Sequence, residues 1–398
     1  MRTGITQRGE RPILPRPAER GEGRGEGETS LREEALTMKI ALVGDYPPPF
    51  GGVSVHVAAL ERALRARNVD VRVLDIGRGE NDAPGVAPAR GALRCAAALA
   101  RAAAERRLLH VHTSGANPKS WLLALVASRA RLPGSPRPLL TLHSGLLPGY
   151  LAGCAERREI ARAVCSGFGR VVAVSHELSA ALEGCGVPAA QLEVVPAFLL
   201  ADLAPGAPPA RLAALRETRA PLFCAALAPT STYGEDVLLA AFAAVSEREA
   251  RAGLVVFGEG SERGPVAALG LRRGALGLGE IDHAAALGVL AACDVFVRAT
   301  RADGDALSVR EALSLGRKVV ASEVGQRPPG CLLFRVGDAA GLAALMIDAA
   351  RSPPAPAGRG LPDRDPLESL LDLYPSLAAE RPIPSDSARL EQAPCSTP

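Results

Sequence analysis

Two carboxylates that lie eight positions apart, Asp303 and Glu311, are the strongest candidates in this chain for binding a polar ligand. They lie in an acidic, glycine-containing segment, 301–316, which follows an apolar strand-like run and leads into a short helical pattern. Ionised carboxylates accept strong, directional hydrogen bonds from hydroxyl groups. Backbone amides at the start of a helix carry partial positive charge and suit a phosphate or sugar oxygen. The segment therefore predicts a site for a ligand rich in hydroxyl and phosphate groups.

This segment resembles the E-x7-E region of glycosyltransferase family 4, whose members are retaining enzymes with the GT-B fold. In that family the first acid meets hydroxyls of the donor sugar and the second holds the ribose of the nucleotide, so the resemblance gives these roles to Asp303 and Glu311. The positions after the first acid that would line the donor sugar are Asp305, Ala306, Leu307 and Ser308. Asp303 is one methylene shorter than the family's Glu, and Ser308 replaces a frequent Pro. The resemblance implies a nucleotide diphosphate sugar as donor substrate, with no cofactor.

Two other interpretations of the same segment stay open. Ser308 and Glu311 have the spacing of a capping box, in which Glu311 bonds back to the start of the helix. Asp303 and Asp305 form a D-x-D pair, which in the other large class of glycosyltransferases binds a divalent cation through carboxylate oxygens. The helical pattern that follows matches the family 4 segment better, so we predict no metal ion there.

Three further segments resemble the family where apolar runs end. Gly51 and Gly52 resemble its N-terminal glycine–glycine loop, where the backbone can approach a ligand at a helix start. His143 resembles a histidine that approaches the donor sugar, although packed, hydrogen-bonded histidines are commoner at strand ends. Gly258 resembles the glycine turn near the nucleotide. It does not begin a dinucleotide fingerprint, because Gly264 comes one residue too late for the third glycine.

The largest departure from the family is the segment 228–238. Family members have an Arg and a Lys there that neutralise the diphosphate leaving group, and the Lys precedes a glycine that matches Gly234. This chain has Thr230, Ser231, Thr232 and Tyr233 instead. Hydroxyls bond phosphate oxygens without offsetting their charge, so we expect helix N-termini or another arginine to stabilise the leaving group.

Three histidines besides His143 lie in or near the predicted cleft. His110 and His112 are two positions apart in one strand-like run, a spacing compatible with metal ligation. No carboxylate or third ligand lies near them in the sequence, so we predict no metal site. His56, which follows the glycine pair, is predicted to be a helix or interface residue.

Composition excludes several classes of protein. The 398 residues suffice for two domains of ordinary size. The net charge is only +3, without basic segments interleaved with aromatics, so no nucleic-acid partner is expected. Eight cysteines without a C-x-x-C pair favour a reduced cytoplasmic protein. The sequence has neither an apolar run of about 18 residues nor a signal-peptide pattern, so it predicts a protein that is neither membrane-spanning nor exported.

Breaks in composition divide the chain. Residues 1–37 balance seven Arg against seven Glu and predict a disordered extension. The segments that follow are an N-terminal Rossmann-like acceptor-side domain (38–198), a linker (199–220), a C-terminal Rossmann-like nucleotide-sugar domain (221–364), a helix returning to the first domain (365–380) and a tail (381–398). Strands are predicted at 39–44, 70–75, 108–112, 138–143, 170–174, 222–227, 253–257, 294–298 and 318–321. Their alternation with helical segments predicts parallel sheets.

Over residues 38–380 the resemblance implies an α/β protein of the GT-B fold, with two Rossmann-like parallel-sheet domains facing across a cleft. Such a protein would move a sugar, with retention of configuration, to a saccharide or lipid-linked acceptor. A GT-B nucleotide-sugar epimerase and a non-catalytic binding or partner protein stay open, and the missing phosphate cations favour the latter. Five arginines in 90–109 predict either a basic helix in peripheral contact with the inner membrane face or a solvated helix face; they are Arg90, Arg94, Arg101, Arg106 and Arg107.

Overall fold

The computed structural model describes residues 38–79, 81–198, 203–353 and 356–379, which form two parallel β-sheets with their helices. The predicted extension 1–37 and tail 381–398 lie outside the described residues. Short apolar runs alternate with Ala- and Leu-rich helices along both halves. This pattern produces parallel sheets that are buried on both faces.

The first sheet has seven strands in the order β3-β2-β1-β4-β5-β6-β7. They are β1 Lys39–Gly44, β2 Asp70–Asp75, β3 Val86–Pro88, β4 Leu108–Thr113, β5 Leu139–Leu142, β6 Arg170–Ala173 and β7 Leu192–Val194. The helices of this half are Gly52–Arg65, Ala92–Ala104, Pro118–Arg129, Leu147–Ala152, Ala155–Cys165 and His176–Glu183. The strand order reverses between β1 and β4, and their carboxyl ends open a crevice there.

The second sheet has six strands in the order β10-β9-β8-β11-β12-β13. They are β8 Leu222–Ala226, β9 Gly253–Phe257, β10 Ala275–Gly277, β11 Val295–Arg298, β12 Lys318–Ser322 and β13 Cys331–Phe334. The helices of this half are Ala210–Thr218, Glu235–Arg248, Pro265–Leu269, His283–Ala292, Leu307–Ser314 and Ala339–Arg351. Here the order reverses between β8 and β11, which places the second crevice at their carboxyl ends.

Each sheet buries an apolar layer on both of its faces. In β1, Ile40 and Leu42 belong to one core and Ala41 and Val43 to the other. Alternation of this kind follows from the two-residue repeat of a strand. Because few aromatic residues are present, these layers consist mainly of Ala, Val and Leu.

The last described helix, Pro366–Ala379, follows the second half in sequence but packs in the core of the first. Leu367, Leu370 and Tyr374 recur at helical spacing on its buried face. The Tyr374 hydroxyl lies 3.0 Å from Nδ1 of His110. The helix therefore ties the end of the chain to the first sheet.

Two features differ from the sequence expectation. The predicted linker contains the helix Ala210–Thr218, in which Leu212 and Leu215 are buried against the core of the second half. In addition, β3, β7, β10 and β13 are not among the predicted strands, and all four lie at sheet edges. No helix among the described residues is both long enough and apolar enough to span a bilayer.

Candidate functional site

Asp303 follows β11, and two buried guanidinium groups share its carboxylate. Arg298 donates to it through Nε and Nη2, at 2.9 and 3.1 Å, and Arg327 donates through Nη1 at 3.1 Å. Thr300 Oγ1 donates at 3.0 Å. Burial raises the pKa of Asp303, but the two guanidiniums and these hydrogen bonds outweigh burial and hold it at about 2. In this structure the carboxylate is ionised and engaged by protein groups, and its contact with donor-sugar hydroxyls stays a prediction.

Two guanidiniums around one carboxylate leave one excess positive charge in this part of the second half. Arg298 is 9% exposed, and its Cζ lies 4.8 Å from the centroid of the Tyr233 ring. Burial works against the charge of Arg298, yet Asp303 more than offsets it, so the pKa of Arg298 is raised. The guanidinium therefore remains charged beside the segment that lacks the family's Arg and Lys.

Asp305 belongs to a separate ion pair. Nε of Arg310 donates to both of its carboxylate oxygens, at 2.7 and 2.8 Å, and Nη1 of Arg310 donates to Gly360 O at 2.8 Å. Burial raises the pKa of Asp305 to about 6, although Arg310 acts to lower it. Because guanidiniums hold the carboxylates of both Asp303 and Asp305, this donor set does not fit a D-x-D cation site.

Glu311 does not cap its own helix, so the capping-box interpretation is wrong. Its Oε1 lies 2.6 Å from Nε2 of His283, at the start of the helix His283–Ala292. The N-cap of Glu311's helix is Ala306, which has no side-chain cap bond. Leu307 and Ser308, both half-buried, form the first turn. Glu311 thus links its own helix to the start of the helix His283–Ala292. Its bond to ribose stays a prediction.

The hydroxyl-bearing loop lies against the end of β11. Its predicted ligand residues, partly or fully exposed, are Thr230, Ser231 and Thr232. The backbone N–H of Arg301 donates to Thr232 O at 2.7 Å, and its Nη1 donates to Ser231 O at 2.7 Å. Gly234 has φ 65°, and a Cβ there would lie 2.0 Å from Ala299 O. Only glycine fits this approach, which brings the loop close to Arg298.

Gly258 closes the neighbouring turn. A Cβ at this position would lie 2.0 Å from Leu227 O, and φ is 116°, so the position requires glycine. Its N–H donates to Gly279 O at 2.8 Å. The ends of β8, β9 and β10 are therefore held together next to the hydroxyl loop.

The glycine pair of the first half lies at the opposite side of the cleft. Gly51 is the N-cap of the helix Gly52–Arg65, and both glycines are exposed. Ser54 Oγ accepts from the Gly51 N–H at 2.9 Å. The preceding amide, that of Phe50, donates to Oε1 of Glu280 in the second half at 2.6 Å. A carboxylate thus already bridges the two halves at this loop.

His143 is half-buried after β5 and belongs to a group of histidines. Its Nε2 lies 3.2 Å from Nδ1 of His112, and its ring centroid lies 5.2 Å from that of His56. Burial, together with the neighbouring histidines, lowers the pKa of His143 well below its usual value. The ring is therefore neutral, and it can exchange hydrogen bonds but supplies no charge.

The two halves touch through backbone at the centre of the cleft. A Cβ on Gly145 would lie 2.0 Å from Asp303 O, and a Cβ on Gly304 would lie 2.5 Å from His143 O. The structure therefore brings the predicted residues His143 and Asp303 to one contact. A cavity of about 790 Å³ adjoins it, lined by both halves, including His176, Pro196, Arg310, Arg327 and Arg359.

Sequence reasoning missed Arg298, Arg327, His283 and the role of His56. The sequence did contain one indication for Arg298, because it is a cation at the end of an otherwise apolar, buried strand. His56 and His283 are far in sequence from the groups they approach, and no local pattern marks them.

Comparisons with known proteins agree with this arrangement. Residues 50–199 match the family described as Glycosyltransferase Family 4, and residues 219–352 match Glycosyl transferases group 1. A comparison with curated proteins finds no match.

Several solved structures are similar over most of the chain. HepE from Anabaena, in complex with UDP and glucose, shares 18% identity, with 86% of this chain and 95% of that chain covered and a TM-score of 0.57. Sucrose-phosphate synthase from Thermosynechococcus elongatus shares 18%, covers 86% and 96%, and has a TM-score of 0.60. The UDP-forming α,α-trehalose-phosphate synthase from Burkholderia xenovorans, in complex with glucose-6-phosphate, shares 12%, covers 85% and 96%, and has a TM-score of 0.60.

Two Rossmann-like parallel sheets with a cleft between their strand ends define a protein of the GT-B fold. The family matches in both halves narrow the class further. The chain belongs to the glycosyltransferases of the family 4 type.

Proposed function

We propose that this protein transfers a hexose from a nucleotide diphosphate sugar to a saccharide or lipid-linked acceptor, with retention of configuration and without a metal ion at the diphosphate. The observation that carries this proposal is the Arg298–Asp303–Arg327 cluster, in which two buried cations share one carboxylate. The excess charge lies beside the loop where family members place their phosphate cations.

Arg298, the last residue of β11, can take over the role of the missing lysine although it comes from a different strand. In the family, that lysine precedes the glycine equivalent to Gly234, and here Tyr233 stands there with the Arg298 guanidinium 4.8 Å from its ring centroid. A unit charge about 4 Å from a phosphate oxygen gains about 4 kcal/mol at the effective dielectric typical of protein surfaces. Cations already held in place stabilise a departing diphosphate without reorganisation.

The division of roles follows the two halves. Glu311 would hold the ribose, the loop 230–234 and Gly258 would face the phosphates, and the first half would hold the acceptor. The contact between Gly145 and Asp303 occupies the space between the halves, so the donor enters after the cleft opens. Closure then excludes water from the transfer. No residue is assigned as a covalent nucleophile.

The similar proteins indicate which donors to test first. HepE was solved with UDP and with UDP-glucose, and the trehalose-phosphate synthase is described as UDP-forming. We therefore take UDP-hexoses as the first donors, with GDP- and ADP-hexoses beside them.

A lipid-linked acceptor would bring a cytoplasmic enzyme to the inner membrane face. Along the helix Ala92–Ala104, Leu93 is 88% exposed and the neighbouring Arg90 and Arg94 are also exposed. Arg107 differs from these arginines, because its guanidinium is buried and pairs with Asp70. An exposed leucine between arginines suits peripheral contact with an anionic membrane.

The test is release of nucleoside diphosphate from each donor by the full chain, with and without membrane-lipid extract. Arg298→Gln should lower kcat about 100- to 1000-fold, since it removes one group that stabilises the leaving group. Arg216→Gln is the matched control, because Arg216 forms an Arg–Asp pair with Asp294 in the same half, away from the cleft. Equal kcat in Arg298→Gln and wild type would remove the proposed role of Arg298.

The second candidate is a non-catalytic partner protein, which the backbone contact across the cleft favours. It predicts nucleotide binding, or none, with no release from any donor. Absence of release from folded wild-type protein across the whole panel would favour this candidate over the transferase.

A further inference from the structure

Three imidazoles converge in the first half, on the acceptor side of the cleft. His56 comes from the helix Gly52–Arg65, His112 from the end of β4, and His143 from the residue after β5. Their ring centroids are 5.3, 5.2 and 5.5 Å apart, close to an equilateral triangle. One ring nitrogen from each lies within 4.8 Å of the other two.

We propose that His56, His112 and His143 bind one transition-metal ion of the zinc type. The site lies in the wall opposite the arginine cluster and is independent of the metal-free diphosphate chemistry proposed above. It differs from the sequence expectation of no metal, because His56 is 56 positions from His112 and its approach depends on the fold.

The distances fit a tetrahedral ion. Three atoms within 4.8 Å of one another share a centre at most about 2.8 Å from each, while Zn–N bonds are about 2.0–2.1 Å. Each ring must therefore move inward by less than about 1 Å. Nδ1 of His112 lies 3.2 Å from Nε2 of His143 in a contact between the two rings, so Nε2 of His112 is the nitrogen left for the ion. Imidazoles on one such ion have centroids about 5.2 Å apart, close to the observed values.

The surroundings also fit. Nδ1 of His56 lies 2.5 Å from Ala197 O, a contact that places the proton on Nδ1 and leaves Nε2 free to ligate. Nε2 of His112 is buried with no hydrogen-bond partner, which a packed structural histidine normally has. Imidazole ligands suit Zn, Cu, Fe and Ni.

The neighbouring His110 is not a ligand. Its ring centroid is only 4.0 Å from that of His112, but Nδ1 lies 3.0 Å from Tyr374 Oη and Nε2 lies 2.7 Å from Thr141 Oγ1. Both of its nitrogens are thus in use. Three protein ligands leave the fourth position of a tetrahedral ion for water or another ligand, as in catalytic zinc sites.

The experiment measures metal binding in the full chain without substrate, so its result does not depend on the transferase proposal. Protein stripped with a chelator is titrated with Co²⁺, and the visible absorption of four-coordinate Co²⁺ is followed and then displaced by Zn²⁺. We expect one ion per chain. Loss of one ligand in His56→Gln or His112→Gln should weaken Co²⁺ binding by at least about 100-fold, since even altering groups around a metal's ligands costs 10- to 100-fold. His176→Gln, at an exposed histidine of the same half, should bind as wild type does.

X-ray absorption of the zinc-loaded wild type gives a readout that does not depend on whether the variants fold. Three nitrogen neighbours at about 2.0 Å would support the site. A zinc shell dominated by sulfur would assign the ion to cysteines and overturn the proposal. Failure of the wild type to bind Co²⁺ or Zn²⁺, or equal binding by folded His56→Gln and His112→Gln, would overturn it as well.

Discussion

The two walls of the cleft both bury polar side chains at strand ends, but one wall is neutral and the other is charged. In the first half, burial lowers the pKa values of His56, His110, His112 and His143, so these rings stay uncharged. The hydrogen bonds of these rings join neutral groups.

The facing wall of the second half holds ions. Arg298 and Arg327 share the Asp303 carboxylate, and Arg310 holds Asp305. All five side chains are largely removed from water. Buried ions are tolerated only with partners of opposite charge, because desolvation is costly.

This difference in charge between the two walls indicates which half is better suited to a charged ligand. A neutral wall accommodates hydroxyl groups at little electrostatic cost, while a wall with one excess cation attracts a diphosphate. The same difference has an energetic consequence, because removing one partner should cost more in the charged wall than in the neutral one.

The charged wall should suffer the largest loss from Arg310→Met. The change leaves the fully buried Asp305 carboxylate without its guanidinium. We expect a loss of about 3–5 kcal/mol in the free energy of unfolding, measured by chemical denaturation followed by circular dichroism. The double variant Asp305→Val/Arg310→Met removes both charges and should recover most of the loss. A single variant as stable as wild type would show that the wall is not held by ion pairing.

Gly145→Ala tests the contact between the walls. Its Cβ would lie 2.0 Å from Asp303 O, so either the chain accepts overpacking that costs about 1–3 kcal/mol or the halves separate. We expect separation, seen as a larger radius of gyration in small-angle X-ray scattering. Gly149→Ala is the control, since its Cβ would meet no atom within 4 Å. Scattering identical to wild type would mean that the walls do not close on each other in solution.

The pH dependence of stability tests whether Asp303 is ionised. Burial raises its pKa and the arginines lower it, with a net value of about 2 in the folded state, against about 3.9 when unfolded. A carboxylate with a depressed pKa stabilises the fold above pH 4, and this contribution is lost as the pH falls towards 2. The stability difference between wild type and Asp303→Asn should therefore shrink by about 2 kcal/mol over that window. Urea unfolding at pH 5, 4, 3 and 2 measures it, and a constant difference would contradict the charged wall.

Much of the architecture could be predicted from the sequence, and the omissions share a physical cause. Every strand predicted from an apolar run is present, and the two sheets are confirmed. The missed strands β3, β7, β10 and β13 all lie at sheet edges. Three of them have only three residues, and β13 exposes Leu332 and Leu333. An edge strand is covered on fewer sides, so its sequence carries a weaker apolar signal.

The candidate site was predictable only where its residues are close in sequence. Asp303 and Glu311 share one loop and helix, so their spacing could be interpreted. The partners that set their environment come from elsewhere: Arg327 from after β12 and His283 from another helix. Which carboxylate meets which cation depends on tertiary packing, and no periodicity reports it.

Tyr374→Phe is expected to give the smallest effect and completes the comparison from the neutral wall. The change removes only the hydroxyl that lies 3.0 Å from Nδ1 of His110, in a fully buried position. A neutral group that loses one hydrogen bond costs about 1–2 kcal/mol, well below the loss expected for Arg310→Met. Urea unfolding followed by fluorescence of Trp121, the single tryptophan and a core residue of the first half, measures it. Tyr150→Phe, at a half-buried tyrosine in that half, should leave the midpoint unchanged. If Tyr374→Phe lowered the free energy of unfolding as much as Arg310→Met does, the two walls would depend equally on their polar contacts. Charge would then add nothing to the cost of losing a partner.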